Sequence, residues 1–135
     1  MRPRLVLFPI FLLALFFGCG DQKFTVTPLR GTVLCKGRPV SEGLVQFSPV
    51  STGGPLSGKA GAGEIGPDGR FVVTTYSAGD GAVIGKCRIT AGPNDPKLAW
   101  PSRLKEPIEF EVRPDVSDVV IDIQPDGTGK VTTAG

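Results

Sequence analysis

The chain has 135 residues, of which 19 are Gly and 13 Pro. That is one domain's worth of sequence, with too many helix breakers for long helices. The formal charge of +2 includes Arg2 and Arg4, which fall in an export leader. Without them 13 basic residues face 13 acidic ones, so nucleic-acid binding loses its main driving term. The absence of His excludes Ser-His-Asp and Cys-His sites and removes the commonest zinc ligand.

In chain order, residues 1–18 read as a signal peptide. Arg2 and Arg4 open it, and Leu5 to Phe17 is an apolar run of 13 residues broken only by Pro9. A spanning helix needs about 20 residues. The run ends in Leu15-Phe16-Phe17-Gly18-Cys19, which resembles a lipobox, with Phe16 where that pattern usually has Leu. The resemblance implies that Cys19 is acylated with palmitate-type chains and becomes the new N-terminus. A plain secretory signal cut nearby, or an uncleaved membrane anchor, are the alternatives. Gly20 rather than Asp follows Cys19, which the lipoprotein sorting pattern associates with outer-membrane delivery. Residues 19–28 then read as a tether of at most about 30 Å.

Residues 29–124 hold the domain. Leu29 to Lys36 is the first expected strand, with Val33 and Cys35 on one face, and Gly43 to Pro49 the second, with Val45 and Phe47 inward. Residues 51–58 are a loop by composition. Lys59 to Ile65 is a weak strand, and Asp68-Gly69 is a tight-turn signal leading to Phe71, Val73 and Thr75. The turn around Gly79-Asp80-Gly81 leads to Gly85 to Ala91, with Cys87 and Ile89 inward. Ile108 to Val112 and Val119 to Gln124 alternate as the last two strands, joined by the Pro114-Asp115 turn. Residues 125–135 read as a flexible tail. The expected fold is all-β, a seven-stranded antiparallel Greek-key sandwich.

Gly31-Thr32-Val33-Leu34-Cys35-Lys36-Gly37-Arg38-Pro39-Val40, Gly43 to Pro49, Pro67-Asp68-Gly69-Arg70-Phe71, Gly81-Ala82 and Gly85-Lys86 together resemble the carboxypeptidase regulatory-like domains. These are transthyretin-like sandwiches common in small bacterial lipoproteins. The resemblance spans about residues 29 to 124 and implies a fold and an accessory role. It implies no carboxypeptidase activity, since it is to the non-catalytic appendage.

Gly92 to Pro107 carries Pro93, Pro96, Pro101 and Pro107 and the single Trp, Trp100, beside Leu98 and Leu104. It is either a loop folded over one end with Trp100 capping the core, or a binding loop with an exposed aromatic. With Cys19 acylated, Cys35 and Cys87 remain in an oxidising compartment. Both point inward, and a disulfide across the sandwich stands against two separate buried thiols. The carboxylates fall mostly in turns, where Asp bonds the backbone, and none is spaced as an EF-hand loop. Neither cofactor nor metal is expected. The function expected is that of a non-enzymatic, lipid-anchored structural or protein-interaction module of the envelope, whose partners are the membrane, through the lipid, and an envelope protein or glycan. The alternative is a glycan- or peptide-binding module using the 92–107 loop.

Overall fold

Alternation of apolar and polar residues decides which side chains each strand turns inward, because successive Cβ atoms point to opposite faces. The computed structural model describes residues 24–50, 58–95, 97 and 100–134. Its strands are β1 (Val26–Thr27), β2 (Arg30–Cys35), β3 (Arg38–Pro39), β4 (Leu44–Pro49), β5 (Gly61–Glu64), β6 (Arg70–Val72), β7 (Ala82–Val83), β8 (Gly85–Gly92), β9 (Ile108–Val112), β10 (Asp118–Ile123) and β11 (Gly129–Ala134). No helix occurs among the described residues, and the protein is all-β.

The strands form two main sheets. One runs β11-β10-β2, with β3 and β6 sharing the far side of β2; the other runs β5-β4-β8-β9. A two-stranded ladder of β1 and β7 stands apart from both. Val33, Val119, Ile121 and Ile123 from the first sheet and Val45, Phe47, Ile89 and Val112 from the second are all buried within one core. Burying each such side chain is worth about 1.5–3 kcal/mol. Phe47 and Phe71 meet in the middle, ring centroids 6.1 Å apart and planes tilted by 41°.

Two turns show local chemistry at work. Cys35 pairs with Arg38, leaving Lys36-Gly37 as a two-residue hairpin loop with φ of 51° and 76°. Positive φ at both positions is the type I′ geometry that suits the right-handed twist of strands. At the second turn, Gly69 has φ of 81° and its N–H donates to the Gly66 carbonyl at 2.9 Å, while Gly66 N–H donates to the Arg70 carbonyl at 2.9 Å. The extra residue makes this a bulged turn, and it closes a hairpin whose arms splay into different sheets. β5 pairs with β4, β6 pairs with β2, and the bridge Ala62 to Thr74 ties the arms together.

Three expectations are corrected. The first sheet is not wholly antiparallel, because β2 and β10 pair in parallel from Arg30–Asp118 to Cys35–Ile123. The chain arches between sheets at 113–117, so β10 returns beside β2 running the same way. The segment read as a flexible tail forms β11, paired with β10 along its whole length. The tether is shorter than expected: Val26 and Thr27 pair with Val83 and Ala82, and Phe24 N–H donates to Tyr76 Oη at 3.0 Å. The expected signal peptide, residues 1–18, lies outside the described residues.

Candidate functional site

The 92–107 loop crosses the end of the molecule where β2 finishes and β4 begins. Its anchor is Trp100, which is 8% exposed. The indole lies against Gly43, where a Cβ would collide with ring atom Cζ2. Trp100 Nε1–H donates to Glu42 Oε1 at 3.1 Å, and the other oxygen of that carboxylate accepts the Asn94 backbone N–H at 2.9 Å. One side chain thus fixes both the entry of the loop and its aromatic. A buried indole N–H needs an acceptor, and Glu42 supplies a charged one, which strengthens the bond.

Further along, Ser102 is buried; its Oγ–H donates to the Ile123 carbonyl at 3.3 Å, and its own carbonyl accepts the Cys35 Sγ–H at 3.4 Å. Leu104 is half-buried against the core, and Lys105 N–H donates to the Gly127 carbonyl at 3.0 Å. The described part of the loop is therefore bonded to Glu42 through Asn94 and Trp100 and to the end of β10 and its turn through Ser102 and Lys105. Trp100 and Leu104 belong to the lid of the core, so the exposed aromatic platform that a binding loop requires is not formed. Leu98 lies outside the described residues, as does Cys19.

The cysteine bridge is also corrected. Cys35 and Cys87 are both buried and both free. Each is on the expected inward face, and the Cys35 thiol is bonded to the Ser102 carbonyl. Cys35 ends β2 at the pole covered by Trp100 and Ser102. Cys87 lies five residues before Gly92, whose carbonyl borders Gly43 at that same pole. Burial pushes the Cys87 thiol up to about 12, so it is a packed apolar group with little thiolate character.

Asp80 orders the opposite end. Its Oδ1 accepts Thr75 N–H at 2.8 Å, and its Oδ2 accepts Tyr76 and Ser77 N–H at 3.0 Å each. Burial alone would raise its pKa, but these backbone donors outweigh that and hold it below the usual value. Asp68 and Asp126 do similar local work, accepting the N–H of Arg70 and Thr128 two residues on. Among the described residues no three His, Cys, Asp or Glu side chains gather as a metal site, and no helix is long and apolar enough to cross a membrane.

Two features were not read from the sequence. Glu42 carried no signal, because its role depends on a partner 58 positions away. A groove of about 510 Å³ lies on the outer side of the splayed hairpin, with Glu64 and Arg70 beside Leu44 and Val72. Leu44 and Val72 are 42% and 55% exposed, yet each stands at an outward position of its strand, where alternation predicts a polar residue. Compared with protein-family models, curated proteins and solved structures, the chain matches none.

Proposed function

We propose that the protein is a non-enzymatic module of the cell envelope, anchored through acylated Cys19 and carrying a transthyretin-like β-sandwich of the carboxypeptidase regulatory-like kind. In that reading the seven long sequence-predicted strands form the Greek-key frame, and β11 extends it. The observation that carries a scaffolding role over ligand binding at the 92–107 loop is the seating of Trp100, turned into the core and bonded to Glu42. A loop pinned at Asn94, Trp100, Ser102 and Lys105 stiffens a pole and presents no stacking surface. The partner is an envelope protein, met by the outer faces of the domain.

The test is fractionation with Cys19→Ala. The wild type is expected in outer-membrane fractions with a mature mass that includes the acyl chains. The variant is expected to leave the membrane or to accumulate unprocessed. Unchanged membrane partitioning together with unchanged mass would overturn the anchoring.

A further inference from the structure

The described chain begins at Phe24, at the pole opposite Trp100. Phe24 is held there by Tyr76 Oη, and Ile84 N–H donates to the Thr25 carbonyl at 3.0 Å. Ile84 is one of the exposed large hydrophobic residues, at 38%, so an apolar side chain stands in solvent beside the entering chain. Exposed Lys86 follows two residues later, and exposed Lys59 lies over the Tyr76 ring at 5.8 Å. Exposed Glu111 stands directly opposite Lys86 across the β8–β9 ladder, so that cation already faces a carboxylate; two other acidic groups are engaged locally. Asp80 accepts three backbone N–H groups, and Asp115 pairs with Arg113 at 3.5 Å.

We infer that this pole is a membrane-contact surface, with Ile84 at the boundary of headgroups and acyl chains and Lys59 on a lipid phosphate. The inference rests on the anchoring of Cys19 proposed above. Phe24 is five positions after Cys19, a reach of at most about 18 Å. With the acyl chains in the bilayer, the Phe24 pole is the part of the domain held nearest the lipid. Apolar area and basic side chains are the two terms that bind a surface group to a bilayer. One Ile and one Lys would bind weakly from solution. A short tether raises their effective concentration to about the millimolar range, so a weak contact suffices to orient the domain. The Trp100 pole then points away from the membrane.

The experiment uses the full-length, lipidated protein in phosphatidylethanolamine–phosphatidylglycerol vesicles with brominated acyl chains, which quench an indole that touches them. Trp100 is the only native Trp and serves as an internal reference at the far pole. In Ile84→Trp the added fluorescence is expected to be lost in brominated vesicles, whereas wild-type fluorescence and that added by Arg38→Trp are expected to persist. Absence of quenching in Ile84→Trp, or equal quenching in Arg38→Trp, with the protein still floating with vesicles, overturns the inference and leaves the anchoring intact. Failure to float overturns the anchoring, and the inference with it. If Ile84→Trp does not fold, Thr25→Trp reads the same pole by the same criterion.

Discussion

Lys36 occupies a left-handed backbone conformation with φ of 51°, which costs an ordinary L-residue about 1–2 kcal/mol. Asn tolerates that region better and is favoured before Gly in this turn. Lys36→Asn is therefore expected to stabilise the protein by about 0.5–1 kcal/mol, read as a rise in denaturant midpoint at constant m-value. Gly69 is the opposite case. Its φ is 81°, and a Cβ there would come within 2.8 Å of Pro39 Cβ and 3.1 Å of the Val40 carbonyl oxygen. Gly69→Val adds β-branching to both problems, and a loss of about 1–3 kcal/mol is expected. A melting temperature unmoved by that substitution would place the hairpin in another register. The turn at Gly69 was legible from sequence because tight turns are local. Lys36 was not, because nothing in a Lys side chain advertises positive φ.

The seven strands read from alternation are all present, within a residue or two at most ends, and their inward faces are largely those expected. Val33, Val45, Phe47, Phe71, Ile89, Val119, Ile121 and Ile123 are all buried. The strands that escaped notice lack the signal on which alternation depends. β1, β3 and β7 have two residues each, and β11 has one large apolar residue, Val131, to alternate. Alternation also fixes a face without fixing a level along the strand, so Cys35 and Cys87 could be turned inward correctly and still be wrongly joined. Alkylation tests the separate-thiol arrangement. The native protein is expected to react slowly at both thiols. Under denaturing, non-reducing conditions each chain is expected to take two labels in addition to any at Cys19. For β11, deletion of residues 125–135 is expected to cost on the order of 3 kcal/mol through lost ladder hydrogen bonds. Removing a frayed tail would change stability by less than about 0.5 kcal/mol.

At the scale of the molecule, the poles differ in how they respond to acid. Asp80 ties the 75–81 loop as a carboxylate, and its pKa is lowered in the folded state. A group so depressed contributes stability at pH above its unfolded pKa, near 3.9. That contribution fades as pH falls through the folded value. Asp80→Asn is thus expected to be less stable than wild type at neutral pH. The gap should narrow below about pH 4, measured as the difference in melting temperature across an acid series. A gap that stays constant with pH would mean that Asn replaces the bonds through its own carbonyl.

The parallel pairing of β2 with β10 has a consequence for how the protein is made. Every residue pair in that ladder joins positions about 90 residues apart, and β2 has β10 on one flank and only the short partners β3 and β6 on the other. The strand that begins the core therefore has no full-length neighbour until nearly the whole chain is present. Loop closure of that length comes before its reward, so folding is expected to be slow and dependent on the complete chain. If the chain is exported as proposed, this delay is useful, since translocation requires a chain that has not yet folded. A fragment ending before Asp118 is expected to remain unfolded, with flat amide dispersion in a proton NMR spectrum, even though it contains nine of the strands described above.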